Sequence, residues 1–271
     1  MNNNYRNSLI SLLEQKSFHM WPSAEVKEFG GWALRHDPSV SYRRCNSAYA
    51  GTAETNESLD SLLEHVYHAY TQTGKTPFIY TTEVSQPSGL QQKLRESNRA
   101  HFNLKTNVMI IQDPLTTINL EKNVLPIGLT LNTINHEEEE EMIGFYKPYS
   151  VSFGKKKDEE QTYVRFFKRI SQKLDTSFLL LKMEDEPIGC GIGIYYEGFY
   201  GVFGMGVNTS FRNKGYGRLI LNELLLQGVK KEAEVIYLQI MADNPAVRLY
   251  QRVGFNKLYS YEYYEVGPKE R

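Results

Sequence analysis

The chain has 271 residues, of which 41% are hydrophobic, so it can bury one large core or two ordinary ones. Its 31 lysines and arginines against 32 aspartates and glutamates leave a net charge of -1, which excludes the broad basic field that favours nucleic acid. The two cysteines have no CxxC spacing, which is typical of a reduced compartment. No apolar run approaches the ~18 residues that span a bilayer, and the N-terminal residues lack the apolar core of a secretory signal. We therefore expect a cytoplasmic chain without a membrane partner.

The N-terminal half has the hydrophobic periodicities of an α/β unit. In order, they predict a helix over Tyr5–Phe18, strands over Gly31–Arg35 and Val40–Arg44 joined by Asp37–Ser39, a helix capped within Asn56–Asp60, a strand over Pro77–Thr81, a helix from Ser88 and a strand over Phe102–Ile110. We interpret Asp113–Leu125 as a linker and predict two domains, residues 1–122 and residues 123–271.

The C-terminal half alternates more fully between strands and helices. The predicted elements are a strand over Ile127–Ile134, a helix capped by Asn135 and ended by Pro148, a helix over Glu159–Leu174, a hairpin of Ser177–Met183 and Ile188–Tyr196, a strand over Phe199–Val207, a helix over Gly215–Lys231, a strand over Val235–Met241, a helix over Asn244–Val253 and a strand over Phe255–Tyr264. This order indicates a mixed α/β sheet with helices on both faces.

The stretch Val207–Arg218 joins a predicted strand to a predicted helix and carries the strongest functional signal. Gly215 and Gly217 allow a tight turn with positive φ, so that successive N–H groups can point at one spot. The following helix adds its unpaired N-terminal N–H groups and the positive end of its dipole. Together with Arg212 and Lys214, these groups predict an anion site for a phosphate or pyrophosphate.

Two motifs resemble those of the GCN5-related N-acetyltransferases (GNATs). The pattern Arg212-x-x-Gly215-x-Gly217 after a strand is similar to that family's pyrophosphate loop. The segment from Asn244 to Phe255 is similar to its Asn-x-x-Ala-x-x-Leu-Tyr-x-x-x-Gly-Phe motif, and the element order from Ile127 to Val266 matches as well. The resemblance implies a GNAT-like acyl-CoA acyltransferase fold, α/β with a mixed sheet, whose C-terminal lobe is complete.

The resemblance further implies acetyl-CoA as co-substrate and no metal. The family's pyrophosphate loop and pantetheine-binding strand correspond here to Met205, Gly206, Val207, Arg212, Asn213, Lys214, Gly215, Tyr216, Gly217, Arg218 and Asn244. An N-cap role is an alternative reading of Asn244, and the two roles are compatible.

Tyr250 occupies the position of the tyrosine that faces the cofactor sulfur in the family, where it acts as general acid. A phenol, with its ordinary pKa near ~10, is suited to protonate a thiolate leaving group. Packing in the core is the alternative role, because the chain has 19 tyrosines.

The general base is not identified by the sequence. The strand Phe199–Val207 contains no glutamate, aspartate or histidine, although family members place a glutamate near its start. Glu197 is the nearest acid, and a water chain supported by Tyr196 or Tyr200 is an alternative. The aromatic-rich segment Phe145–Phe167 is the predicted floor of the acceptor pocket, although core packing explains part of it.

Two further features bear on function. His65 and His68 have half the spacing of a metal site on one helix, but the sequence supplies no acidic or cysteine partners to complete it. The helix Leu90–Asn98 aligns with Ala246–Gly254, which indicates a degenerate GNAT-like lobe in the first half. An unrelated α/β lobe is the other interpretation. In either case only the second half carries the glycine loop, so we expect one cofactor site per chain.

These observations predict an N-acetyltransferase that moves the acetyl group of acetyl-CoA to a primary amine by direct attack in a ternary complex. The acceptor is a small-molecule or peptide amine, and the protein is a monomer or a homodimer. A non-catalytic CoA-binding or interaction module is the alternative from another class. Transfer of a longer acyl group, admitted by Gly201, Gly204 and Gly206, is a narrower one.

Overall fold

The structure is a computed structural model that describes residues 2–118 and 123–269. Its first elements are α1 (Asn3–Met20), β1 (Glu25–Phe29), β2 (Trp32–His36), β3 (Ser47–Tyr49), α2 (Leu59–Thr71), β4 (Phe78–Thr81), α3 (Leu90–Glu96), β5 (Ala100–Gln112) and α4 (Pro114–Thr117). They are followed by β6 (Leu129–Thr133), α5 (Glu139–Phe153), α6 (Glu160–Ser171), β7 (Asp175–Met183), β8 (Glu186–Tyr196), β9 (Phe199–Val207), α7 (Tyr216–Lys230), β10 (Val235–Met241), α8 (Val247–Arg252) and β11 (Asn256–Val266).

The described residues form two compact units. The first contains the chain up to Met109, the short segment Ile240–Asn244 and the residues from Lys257 onwards. The second contains Ile110–Gln239 and Pro245–Asn256. The domain boundary predicted after residue 122 borders residues 119–122, which lie outside the described residues, and it stays a prediction.

The first unit is completed by the last strand of the chain. Its strands lie in the order β1-β2-β3-β4-β11-β5, with β3 parallel to β4 and β11 antiparallel to β4. On β11, the buried carboxylate of Glu262 accepts hydrogen bonds from Arg95 at 2.8 Å and from Lys105 at 3.1 Å. Because Arg95 lies on α3 and Lys105 on β5, this one side chain connects three elements of the unit.

The core of the first unit lies between α2 and the sheet. The apolar face predicted for α2 is confirmed, since Leu62, Leu63, Val66 and Tyr70 are buried. They pack with residues of the strands and of α3, namely Trp32, Leu34, Ile79, Leu94 and Tyr264. Burial of each such side chain contributes roughly 1.5–3 kcal/mol, which is what holds α2 on the sheet.

The second unit has its strands in the order β10-β9-β8-β7-β6, with only β10 parallel to its neighbour. On one face, Ile220 of α7 lies so close to Gly189 and Gly191 that a β-carbon there would meet its side chain at 2.9 and 2.7 Å, and a β-carbon on Gly191 would also meet Leu224 at 3.0 Å. The small residues of β8 therefore set how closely α7 approaches the sheet. The rings of Phe145 on α5, Phe167 on α6 and Phe178 on β7 form a second cluster, with centroids 5.2 to 5.8 Å apart.

Three local predictions were wrong. The first hairpin joins β1 to β2 through Gly30 and Gly31, both at positive φ, and Val40–Arg44 is not a strand. Pro148 lies inside α5 rather than at its end, because the helix continues to Phe153 and stops at Gly154 with φ +62°. Asn135 precedes the helix, and its side chain accepts the N–H of Glu137 at 3.1 Å in a local turn.

The two halves of the chain repeat one order of connections. In the first, β1-β2-β3 is followed by α2, β4, α3 and β5; in the second, β7-β8-β9 is followed by α7, β10, α8 and β11. In both, the third strand is parallel to the fourth. This agreement favours the interpretation of the first lobe as a related copy over an unrelated lobe.

Candidate functional site

Strands β9 and β10 pair at one end and part at the other. Their register runs from Phe199 opposite Val235 to Val202 opposite Leu238, while β9 continues to Val207. The pairing of β9 with β8 also shifts at this point, where Gly204 has φ +54°. A bulge of this kind bends a strand away from its neighbour, so the second half of β9 presents a backbone edge to which an extended ligand can hydrogen-bond.

The loop after β9 has the backbone geometry of an anion site. Asn213 and Gly215 have φ +62° and +85°, and α7 begins immediately afterwards at Tyr216. A β-carbon on Gly215 would meet nothing within 4 Å, and one on Gly217 would meet only Leu249 at 3.9 Å. The first turn of α7 contains no acidic residue. Its free N–H groups and helix dipole can therefore receive a pyrophosphate without steric or electrostatic opposition.

Basic side chains surround this loop. Arg212 donates from Nε to the carbonyl of Val207 at 3.0 Å, which ties the loop to the end of β9. The Lys214 ammonium lies 5.3 Å from the centre of the Phe211 ring, a cation–π distance. Both basic side chains are exposed, as is Arg218 in the first turn of α7. The loop therefore carries positive charge in contact with solvent, as a phosphate ligand requires.

A cleft of about 830 Å³ adjoins the loop. It is lined by Thr117, Ile118, Asn123, Val124, Pro126, Lys214, Gly215, Tyr216, Arg218, Leu219, Asn222, Arg252, Val253 and Gly254. One wall is held by Asn123, whose side-chain amide donates to the carbonyl of Leu219 at 2.9 Å. The contributions of Asn123, Asn222 and Arg252 were not predicted. Asn123 and Asn222 lie outside the two motifs, and Arg252 occupies a position of the Asn244–Phe255 motif where any residue is allowed.

Tyr250 faces the part of β9 that has left β10. Its hydroxyl lies 3.9 Å from the sulfur of Met205, a weak hydrogen-bond acceptor. The ring is half-buried and meets Phe255 edge to face, with centroids 6.0 Å apart. Burial raises the pKa of Tyr250 to about 12, so the phenol keeps its proton at neutral pH. The arrangement holds a proton donor beside the parted strand edge.

Comparison with known proteins agrees with this geometry. Residues 134–255 match the acetyltransferase (GNAT) family model, and this range includes the parted strands, the glycine loop and Tyr250. The family model thus identifies a GNAT domain at residues 134–255.

Solved GNAT structures match the whole chain in fold. A GCN5-related N-acetyltransferase from Kribbella flavida superposes with a TM-score of 0.69 at 16% identity, covering 97% of this chain and 96% of that one. A tandem GNAT protein from the clavulanic acid biosynthesis pathway gives a TM-score of 0.63 at 14% identity, covering 99% and 97%. The GNAT fold with two lobes, predicted from the sequence, is confirmed.

A curated relative matches a shorter segment. It is the [ribosomal protein bS18]-alanine N-acetyltransferase of Haemophilus influenzae, which is 28% identical over 57 residues. The match covers 21% of this chain and 39% of that protein's length. The identities of acceptor and product therefore do not transfer from it directly.

Among its described residues, the first unit has no counterpart of the gap between β9 and β10. Past the end of β3, Ala50 N donates to Tyr80 O at 3.0 Å and Gln86 N donates to Gly51 O at 2.8 Å. The first bond extends the pairing of β3 with β4, the strands that correspond to β9 and β10, and the second joins the segments that follow these two strands. The residues before α2 are also exposed and acidic at Glu54 and Glu57, where the GNAT domain has glycines and cations.

Residues considered for proton removal lie at the far end of β9. Tyr200 is buried, and its hydroxyl donates to Gln227 at 3.1 Å. Glu197 lies in the turn before β9 with φ +45°. At about 3.3 Å per residue, Tyr200 is roughly 17 Å and Glu197 roughly 26 Å along the chain from Met205. Neither is placed to take a proton beside Tyr250.

Other predicted features have structural explanations. Asn244 lies in an exposed turn, where its N–H donates to Met241 O at 3.0 Å; α8 begins three residues later, after Ala246, so Asn244 is not the N-cap. His65 stacks on Phe29 with centroids 3.7 Å apart, and His68 contacts Glu64. Within residues 2–118 and 123–269, no group of three or more potential ligands could hold a metal ion, and no helix is long and apolar enough to cross a membrane.

Proposed function

We propose that this protein is an N-acetyltransferase that moves the acetyl group of acetyl-CoA to a primary amine in a ternary complex. The observation that carries the proposal is the position of the Tyr250 hydroxyl, beside the segment of β9 that has left β10 and leads into the glycine loop. In this proposal the pyrophosphate is held by the loop residues Arg212–Arg218, and the pantetheine arm lies along Met205–Val207. Asn244, adjoining α8, is proposed to contact the pantetheine arm.

The proposed reaction needs no enzyme nucleophile. The neutral amine attacks the thioester carbon, a C–N bond forms, and the C–S bond breaks. Tyr250 donates its proton to the departing sulfur and is reprotonated from solvent, while the amine proton leaves to water. Alignment of the two substrates and protonation of the leaving group are the contributions that this site makes to the rate.

We propose an acetyl group rather than a longer acyl chain because other side chains already occupy the space beside two of the three glycines of β9. A β-carbon on Gly204 would lie 2.9 Å from the side chain of Ile192 and 3.5 Å from that of Tyr149. The space beside Gly206 is occupied by Ser152. These contacts leave no additional depth at Gly204 or Gly206.

Two considerations suggest the class of acceptor: the reaction requires an amine nucleophile, and the Haemophilus influenzae relative is a ribosomal-protein-alanine N-acetyltransferase. We propose a primary amine, either a small molecule or a peptide N-terminus. A panel of tyramine, spermidine and a peptide with a free N-terminal alanine samples an arylalkylamine, a polyamine and an α-amine.

Two measurements test the proposal. Isothermal titration calorimetry should detect acetyl-CoA binding, and thiol release with each amine should exceed the release without amine, with the acetylated product identified by mass spectrometry. Absence of acetyl-CoA binding at millimolar ligand contradicts the proposal. Binding without amine-dependent thiol release supports a non-catalytic CoA-binding module instead.

A further inference from the structure

An open cavity of about 590 Å³ lies in the first unit, between α1 and the face of the sheet that α2 does not cover. The paired residues Glu28, Ala33 and Tyr49 form one row across β1, β2 and β3, and all three line the cavity. Side chains of directly paired residues lie on the same face of a sheet. Because the alanine in the middle of the row is small, a hollow remains between a carboxylate and an aromatic ring.

The aromatic wall of this cavity is held in place by its surroundings. The ring of Phe18, on α1, lies with its centroid 5.3 Å from that of Tyr49. The buried guanidinium of Arg35 lies 4.2 Å from the centre of the Phe18 ring and donates to the Phe18 carbonyl at 3.3 Å. Gly51 leaves room for the Tyr49 ring, since a β-carbon there would lie 3.1 Å from it. Rings fixed in this way can receive a flat apolar group with little further loss of conformational entropy.

The cavity has a carboxylate at its rim. Glu28 is exposed and forms no ion pair within residues 2–118 and 123–269. The neighbouring Lys27 points to the other face of the strand, where it pairs with Glu25 at 3.5 Å. The residues described as lining the cavity include no lysine or arginine and no second carboxylate. An exposed carboxylate without a cationic partner is suited to accept hydrogen bonds from an ammonium group.

We infer that this cavity binds a small aromatic amine. The ammonium group donates to the carboxylate of Glu28, and the ring of the ligand packs on Phe18 and Tyr49. This orientation follows from Arg35: one cation already lies on the Phe18 ring, so the ligand's ammonium group is placed more favourably at Glu28. The inference concerns binding alone and does not rest on the proposed function.

The test is isothermal titration calorimetry of the full chain with tyramine, in the absence of acetyl-CoA. Glu28→Gln removes the charge, and Ala33→Leu fills the hollow in the middle of the row. Glu25→Gln is the matched control, because Glu25 is an exposed acid of the same strand that points to the other face. 4-Ethylphenol, which has the ring of tyramine without its amine, is the control ligand. The Tm of each variant reports on folding.

We expect saturable binding of tyramine by the wild type. Glu28→Gln should raise the tyramine Kd about tenfold, the factor that corresponds to loss of one hydrogen bond to a charged group. Ala33→Leu should lower the number of tyramine molecules bound per chain by one and leave Tm equal or higher, because the leucine enters an existing cavity. Glu25→Gln should bind tyramine as the wild type does, and 4-ethylphenol should bind the wild type about tenfold more weakly than tyramine.

Three results overturn the inference. The first is a wild type that shows no saturable binding at millimolar tyramine. The second is a tyramine affinity within about twofold of the wild-type value in Glu28→Gln, which would place the amine elsewhere, since tyramine bound in the GNAT domain would bind both proteins alike. The third is an equal loss in Glu28→Gln and Glu25→Gln, which indicates a general effect of charge. If Ala33→Leu fails to fold, the exposed position Glu28 decides the matter by itself. None of these results bears on acetyl-CoA binding, so the proposed function stands or falls separately.

Discussion

The hydroxyl of Tyr250 lies 3.9 Å from the sulfur of Met205, and Met205 belongs to the part of β9 that no longer follows β10. A phenol close to a strand edge and away from stronger acceptors has its proton available for a ligand that occupies that edge.

Replacement of Tyr250 by phenylalanine should lower kcat by about a hundredfold, within the range for loss of a general acid. The acetyl-CoA Kd should be unchanged, because the ring and its contact with Phe255 remain. Steady-state kinetics and calorimetry on the variant measure the two effects. Tyr67→Phe, on α2 of the first unit, is the control and should alter neither.

The pH dependence gives a separate check on the same residue. Since burial raises the pKa of Tyr250 to about 12, the acid stays protonated through neutral and mildly alkaline pH. We expect no loss of kcat from Tyr250 ionisation until the pH nears that value. An alkaline fall near pH ~8 in the wild type that disappears in Tyr250→Phe would contradict this assignment.

Replacement of Gly215 by alanine should weaken acetyl-CoA binding about tenfold, or 1.4 kcal/mol, by disturbing the loop backbone. Gly215 has φ +85° and no atom within 4 Å of a new β-carbon, so the effect is one of backbone conformation. Gly74 has φ +69° and equally open surroundings. Gly74→Ala should cost a similar ~1–2 kcal/mol of stability and leave acetyl-CoA affinity unchanged. Equal affinities for the two variants would exclude the loop as the binding site.

Titration should give one acetyl-CoA per chain. In the first unit the bond from Ala50 N to Tyr80 O keeps the corresponding strands together, and Glu54 and Glu57 repel phosphate. Replacing both glutamates by glutamine should not create a second site, because the backbone bonds remain. A stoichiometry of two in calorimetry, for either protein, would be incompatible with this closed arrangement.

Glu14 of the first unit should make stability depend on pH. Its buried carboxyl accepts hydrogen bonds from Tyr80 at 2.7 Å and from Tyr259, and burial raises its pKa. Because the pKa of Glu14 is higher in the folded protein than in the unfolded chain, its protonated carboxyl stabilises the fold fully below the unfolded-state pKa of about 4.3. This contribution to the free energy of unfolding is lost as the pH rises through the folded-state pKa. Glu14→Gln cannot ionise, so it should gain stability relative to the wild type as the pH rises above about 4.3.

The measurement can be confined to the first unit. Both tryptophans of the chain, Trp21 and Trp32, lie in that unit, so urea unfolding followed by tryptophan fluorescence reports on it. Glu28→Gln, at an exposed position of β1, is the control and should keep the wild-type pH dependence. A stability difference between Glu14→Gln and the wild type that does not vary with pH would mean that Glu14 does not titrate as described.

Much of the architecture was predictable because its signals are local. Helical spacing in α2 and the glycine loop act over a few residues, where periodicity and backbone freedom decide the outcome. Strands β9 and β10 were predicted with the bounds that the structure has, Phe199–Val207 and Val235–Met241. The GNAT resemblance rested on the same short motifs.

The remaining features depend on contacts between residues distant in sequence. The hydrophobic pattern of β11 identifies a strand but not its neighbour; its place beside β4 comes from tertiary pairing and from Glu262 meeting Arg95. Pro148 remains within α5 because it is buried there, although its missing N–H removes a helical bond. Likewise, no local pattern associates Ser152 with Gly206, since only packing brings a helix terminus onto a strand that lacks a side chain. The sequence by itself therefore determined the helices, the strands and the glycine loop, whereas packing decided which strands pair and which side chains contact β9.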